Sequence, residues 1–236
     1  AGEPTFRHKL DATYKANRGA PPDDLLPQFA LSRRAVAALG IRCLMVPGYE
    51  ADDLMATLVE RMPSVDRVVV SQDKDLIQLL TTGVWIRDDK SLALTDARAA
   101  EDKHGVPPSQ WTTYQALCGD SVDNIPGVRG VGAKTAAALV SGLGDLDSIY
   151  GSLHKVADLP IRGARTLAKK LEAGRDDAYR SLTLATLHRD VPDASMLLQP
   201  DDLIWRGPSD QGHVIYDELG FHRPLNRARV TANAMR

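Results

Sequence analysis

Residues 67–80, RVVVSQDKDLIQLL, decide the fold. The run opens on consecutive valines, whose branched side chains suit a pleated, buried surface, and it predicts a strand over Arg67–Ser71. Two carboxylates, Asp73 and Asp75, follow at once and lead into a short helix that closes at Leu80. A strand that ends in acidic residues and turns into a helix is half of a β–α unit. Downstream, Val84–Arg87 predicts a second strand. Upstream, Ile41–Val46 (IRCLMV) predicts another buried strand, feeding a helix over Glu50–Arg61 with Leu54, Leu58 and Val59 inward. The alternation implies an α/β fold with a parallel sheet. Nearer the start, Phe6, Leu10 and Tyr14 recur every four residues and predict a helical stripe. Gly19-Ala20-Pro21-Pro22 breaks it, and Asp23 or Asp24 caps a helix over about 24–39 that ends at Gly40.

After about residue 100 the character changes. Pro107-Pro108 opens an apolar helix through Trp111, Tyr114 and Leu117, and helices with glycine turns continue to about residue 187. The expected organisation is an α/β core over 1–106, a helical subdomain over 107–200, and a segment over 201–236 that packs back on the core. The chain has 236 residues, 43% hydrophobic and 25% charged, with a net charge of −2, so it is no polycation. A nucleic-acid partner would need positive charge concentrated locally. Cys43 and Cys118 fit no metal-binding spacing and suit reduced thiols in a cytosol-like compartment. No apolar run approaches the roughly 18 residues of a membrane span, and no secretory leader opens the sequence. A cytoplasmic or otherwise intracellular monomer is expected.

Acidic residues fall in three short clusters: Glu50, Asp52 and Asp53 in GYEADDL, Asp73 and Asp75 in SQDKDL, and Asp120 and Asp123 in GDSVDN. Two of them follow expected strands, and α/β sheets place their sites beyond the carboxyl ends of strands. Seven carboxylates in one small volume cannot stay ionised together without cations. Hard divalent ions such as Mg²⁺ or Mn²⁺ take carboxylate oxygens, and a pair of them is a device for phosphodiester hydrolysis. The pattern therefore points to a metal-dependent nuclease. Any one cluster alone is equally explained by helix capping. Asp53, beside Asp52, can also face away and pair with a basic residue.

Ile125–Leu139, IPGVRGVGAKTAAAL, is the second informative segment. A nucleotide-binding P-loop needs Lys-Ser/Thr directly after its last glycine, but Ala133 stands between Gly132 and Lys134-Thr135, and no strand precedes. A helix–hairpin–helix turn fits better. Gly130 and Gly132 permit a tight turn whose N–H groups face a phosphate at a helix N-terminus, whatever the base. Lys134 and Thr135 add a charge and a hydroxyl. Residues 129–180 hold nine Lys/Arg against six Asp/Glu. Arg162, Arg165, Lys169 and Lys170 can form one basic face suited to a duplex backbone, or, for the lysines, a solvated surface.

Together, TFRHKLDATYKANR, GYEADDLMATL, VVVSQDKDLIQLL and GDSVDNIPGVRGVGAKTAAALV resemble the 5′ nuclease family, the flap endonucleases and the 5′–3′ exonuclease domain of bacterial DNA polymerases. The match runs from about residue 5 to about 190. It implies a PIN-like α/β nuclease core with a helical, three-helix DNA-binding motif, acting on DNA at 5′ flaps and 5′ single-stranded ends. By this resemblance Glu50, Asp52 and Asp53 serve a first divalent ion, Asp73 and Asp75 lie between two ions, and Asp120 and Asp123 complete the second site. Lys15 and Arg18, at the base of a helical arch, contact the scissile phosphate. Tyr14 stacks on an unpaired base, and a K⁺ ion sits in the hairpin near Val128–Val131. Family members begin with a strand bearing one metal-binding Asp, and a later strand ends in another. TFRHKL follows those strands, so a longer chain is expected upstream of Ala1. A non-catalytic DNA-structure-binding protein and a PIN-like ribonuclease are the competing readings.

Overall fold

In the computed structural model, which describes residues 4–161, 163–192, 199–209 and 212–235, the valine run does form a strand. The helices and strands are α1 (Phe6–Leu10), α2 (Leu25–Ala38), α3 (Ala51–Arg61), β1 (Arg67–Val70), β2 (Val84–Arg87), β3 (Leu94–Thr95) and α4 (Ala97–His104). There follow α5 (Trp111–Cys118), α6 (Ala133–Leu143), α7 (Leu146–Gly151), α8 (Ala164–Ala173), α9 (Arg175–Ala185), α10 (Gly212–Glu218) and α11 (His222–Ala234). Short 3₁₀ turns occupy Lys74–Leu79, Pro108–Gln110, Leu153–Asp158 and Pro200–Leu203. Among the described residues no helix is long and apolar enough to cross a membrane.

The sheet is mixed, in the order β1-β2-β3. β1 runs parallel to β2, with Arg67 opposite Val84 and Val70 opposite Arg87. β3 instead pairs antiparallel with β2. A parallel crossover needs a dozen or more residues, and residues 88–93 allow only a turn. Asp88 closes that turn by accepting hydrogen bonds from Lys90 N, Ser91 N and Ser91 Oγ.

Two expected elements are corrected. Ile41–Val46 forms no strand, and Ile41 and Met45 are exposed at 47% and 67%. An apolar run becomes a strand only where a neighbour takes up its backbone N–H and C=O groups, and this run joins none of the three described strands. The first acidic cluster thus follows a loop. The Phe6–Leu10–Tyr14 stripe also fails: α1 stops at Leu10, which is exposed, and the buried residue is Arg7. Asp11 ends the helix because its Oδ1 accepts Thr13 N and Oγ1, a local turn that competes with helix continuation.

The chain divides into two compact units. Residues 4–18 and 48–190 form one; residues 19–47 and the described part of 191–236 form the other. The first holds a core beneath the sheet, with Ala56, Leu76, Leu79, Val84 and Trp111. It holds a second core among the helices, with Leu117, Leu139, Ile149 and Leu171, and Tyr114 packs against both. In the other unit Tyr216 Oη donates to Ala35 O at 2.9 Å and Trp205 Nε1 to Leu39 O at 2.7 Å, so the C-terminal segment meets α2 and its end.

Two glycines are required where the third acidic cluster meets the hairpin. Gly119 and Gly127 both have positive φ, and a Cβ on Gly127 would lie 2.3 Å from Gly119 N. This crossing lets Asp120 and Ile125 exchange backbone hydrogen bonds at 2.8 and 2.7 Å. Gly127→Ala is expected to lower stability by about 1–3 kcal/mol, measured as a reduced urea midpoint, because the atoms it meets are backbone.

Candidate functional site

Each acidic cluster keeps one carboxylate for its own fold. At the start of α3, Asp53 Oδ2 accepts Glu50 N at 3.1 Å. Arg7 meets Asp53 with both guanidinium ends, Nη1 to Oδ2 at 2.8 Å and Nη2 to Oδ1 at 2.7 Å, and His188 N donates to Oδ1 at 2.9 Å. Arg7 itself is pinned by Leu184 O and Thr186 O. Burial alone would raise the Asp53 pKa, but the Arg7 bonds hold it below its ordinary value. Four donors occupy its two oxygens and its side chain is fully buried, so Asp53 has no lone pair left for a metal. The structure thus removes Asp53 from the expected ligand set and gives it the pairing role.

In the second cluster Asp73 Oδ1 accepts Asp75 N at 3.0 Å and caps the 3₁₀ turn. In the third, Asp120 Oδ1 accepts Val122 N at 2.8 Å, while its Oδ2 pairs with Lys74 Nζ at 2.9 Å. Capping thus accounts for one oxygen each of Asp73 and Asp120.

Two residues of the early segment tie the first cluster to the third. Lys15 Nζ lies 2.8 Å from Glu50 Oε2 and 3.4 Å from Asp123 Oδ2. Tyr14 Oη donates to the same two oxygens at 3.1 and 3.4 Å. Arg18 Nη2 reaches Asp123 Oδ1 at 2.6 Å. Lys15 adopts φ +56°, a conformation costly for a side-chain-bearing residue, and its N–H donates to Asp123 O at 2.9 Å. The middle cluster feels the others through the field. Burial, then the Asp73 charge, lifts the Asp75 pKa to about 7, with Asp120 and Asp123 adding. Burial, then Asp73, lifts Asp52 to about 6, opposed by Lys15.

Tyr14 corrects its expected role. The ring is 3% exposed, and burial followed by the Glu50 and Asp123 charges raises its pKa. A ring so enclosed offers no face to a base; its hydroxyl instead orients two carboxylates. The expected ligands are not gathered around one point. Among the described residues no three Asp, Glu, His or Cys side chains converge closely enough to hold a metal as they stand. Lys15, Arg18 and Lys74 sit on the oxygens of Glu50, Asp123 and Asp120. The donor set nevertheless suits a hard cation: Glu50, Asp52, Asp73, Asp75, Asp120 and Asp123 supply only oxygen. The strain of like charges on Asp52 and Asp75 is what a divalent ion would relieve.

In the helical half, Gly130 takes φ +82° in the turn and Gly132 caps α6, whose first turn presents an exposed Lys134 and a half-buried Thr135. Arg165 and Lys169, both exposed, stand four residues apart on α8 and so share a face. The Lys170 side chain passes over Gly130, where a Cβ would lie 3.4 Å from its Nζ. Arg162 lies outside the described residues. Three residues with polar contacts in the site escape a reading of the sequence: Arg7, Lys74 and Gln115. The Arg7 signal is faint, a basic residue inside an apolar stripe. Lys74 sits inside the acidic motif itself. Gln115 gives no signal at all.

An α/β core with three acidic segments sharing one field, joined to helices through a glycine hairpin, defines the PIN-like class. The chain belongs to the 5′–3′ exonuclease family: its N-terminal, resolvase-like domain model matches residues 1–105 and its C-terminal, SAM-fold domain model residues 106–211. DNA polymerase I of Pseudomonas aeruginosa is 46% identical over 227 residues, covering 94% of this chain but 24% of that protein. The chain thus spans about a quarter of the polymerase's length. The 5′-3′ exonuclease of Buchnera aphidicola is 34% identical over 190 residues, covering 80% of this chain and 66% of that one. T5 5′-exonuclease with bound zinc shares the fold, with a TM-score of 0.66 at 24% identity over 92% of this chain and 80% of its own.

Proposed function

We propose that this chain is the nuclease part of such a protein, hydrolysing DNA phosphodiesters at 5′ flaps and 5′ ends with two divalent ions, Mg²⁺ or Mn²⁺. One observation carries the proposal: carboxylates from three separate segments share one field, closed on one side by Lys15 and Arg18. The ions, when bound, would activate water and stabilise the leaving oxygen. Glu50, Asp52, Asp73, Asp75, Asp120 and Asp123 would hold them. Lys15 and Arg18, which here pair with Glu50 and Asp123, would bind the phosphate and offset charge that develops on it. The hairpin at Gly130–Gly132, with Lys134, Thr135, Arg165 and Lys169, would grip the duplex by its phosphates, so that shape and not sequence is selected. A K⁺ ion near Val128–Val131 would add to that grip. A related T5 flap endonuclease is described in complex with DNA and metal ions.

The test is cleavage of a 5′-labelled flap with Mg²⁺ or Mn²⁺ and with a chelator. Metal-dependent cuts near the junction are expected. Binding without cleavage would favour a degenerate, structure-binding protein, and preference for RNA would favour the ribonuclease. A second measurement uses the raised carboxyl groups. Their contribution to stability is fully present below the ordinary value of 3.8 and is lost as pH rises through about 6 for Asp52 and about 7 for Asp75. A divalent ion needs the same groups deprotonated, so it restores stability where the protons leave. At a hundredfold excess over Kd, Mg²⁺ is expected to add about 2.7 kcal/mol, roughly 5–10 °C in Tm, at pH 8. The rise should be much smaller at pH 5.5. A pH-independent shift would contradict the assignment.

A further inference from the structure

Gln115 lies on α5, 1% exposed, between buried Thr113 and the apolar pair Ala116 and Leu117. Its Nε2 donates to Asp75 Oδ1 at 2.5 Å. Its Oε1 is buried and has no hydrogen-bond partner among the described residues. An unpartnered amide oxygen in a dry site costs free energy, so leucine, of similar size, would serve packing better. Gln115 also lies in none of the four motifs that carry the family resemblance. What the amide does provide is a single bond to the most buried carboxylate of the middle cluster. Asp75 is then held from two sides, its N–H on Asp73 Oδ1 and its own Oδ1 on Gln115. Its Oδ2 accepts no hydrogen bond from the described residues and is left as the donor atom.

We propose that Gln115 is a positioning residue that sets divalent-ion affinity by fixing Oδ1 of Asp75 so that Oδ2 is presented to the ion. This rests on the metal-dependent reading above. Without the amide the carboxylate is free to rotate, and binding must then order it, which weakens affinity without altering the bound arrangement. The effect belongs to binding and not to chemistry, so saturating ion should recover the rate.

The experiment compares the parent chain with Gln115→Leu and Gln115→Met. Mg²⁺ affinity is measured by calorimetry, the metal-free Tm by scanning, and cleavage across a Mg²⁺ series. Expected are folded variants with a modestly lower metal-free Tm, since Asp75 Oδ1 loses its donor, and a Mg²⁺ Kd weakened by about 10–100-fold. The half-saturating Mg²⁺ for cleavage should rise by the same factor, with the maximal rate unchanged. Unchanged Mg²⁺ affinity in both folded variants would overturn the inference while leaving the metal reading intact. Failure of both variants to fold, or an affinity loss that the unfolded fraction alone accounts for, would make Gln115 merely structural and overturn it too. A folded parent that binds no Mg²⁺ would overturn the metal reading first, and this inference with it.

Discussion

Asp75→Ala is expected to abolish cleavage, by about 10³-fold or more, while DNA binding stays close to that of the parent. Asp75 is buried at the centre of the acidic group, where Asp73, Asp120 and Asp123 all act on it. Lewis-acid stabilisation by a bound ion is worth several kcal/mol, and each 1.36 kcal/mol is roughly tenfold in rate. Removing a buried carboxylate of the set that would hold the ions is expected to forfeit most of that. On the proposed reading, duplex binding would rest instead on the exposed Lys134, Arg165 and Lys169 of the hairpin and α8, none of which Asp75→Ala alters. Single-turnover cleavage and gel-shift titration of the same flap read the two effects independently. Full activity in both Asp75→Ala and Asp73→Ala would show that the middle cluster holds no ion.

The largest stability effect is expected at Arg7. Arg7→Met should destabilise the protein by about 3–5 kcal/mol, because it strands a buried carboxylate without its partner. Arg7 is 1% exposed and bonds Asp53 bidentately while also satisfying two carbonyls at the end of α9. The sign with pH follows from Asp53. Its depressed pKa contributes stability above the ordinary value of 3.8, and that contribution disappears as pH falls through the folded value. The parent should therefore lose its advantage over Arg7→Met in acid. Combining Arg7→Met with Asp53→Leu should recover much of the loss at neutral pH, since an apolar pair can replace an ion pair of similar volume. Urea midpoints at pH 7 and at about pH 2.5, below the ordinary carboxylate value, check both statements; a single-mutant loss below about 1 kcal/mol at pH 7 would mean the pair is not desolvated.

Much of the architecture was legible because its signals are local. Val68–Val70 could hardly be anything but strand, and Asp73 after it caps the turn as acidic residues do at helix starts. Of the glycines in residues 119–132, the structure uses Gly119, Gly127 and Gly130 at positive φ, while Gly132 is extended. Ile41–Val46 misled because its apolarity is real while a strand also needs a partner, which composition does not report. The same holds for Tyr14, whose aromatic ring reads as a platform until burial shows that only its hydroxyl is in use.

Residue type and short spacing alone set the chemistry on offer: oxygen donors in three clusters, basic residues beside them, and a glycine hairpin with a basic helix. These are properties of residue type and short spacing, and they survive any error in the strands. Which group takes which partner depends on the packing in three dimensions. Asp53 and Asp52 are neighbours in the chain, yet one faces Arg7, 46 residues away, and the other faces the acidic field. Asp75 meets Gln115 across 40 residues. The helix fixes the direction of each side chain, and packing then determines which partner waits there. Charge pairing and burial are set by distances in space, which no local pattern encodes.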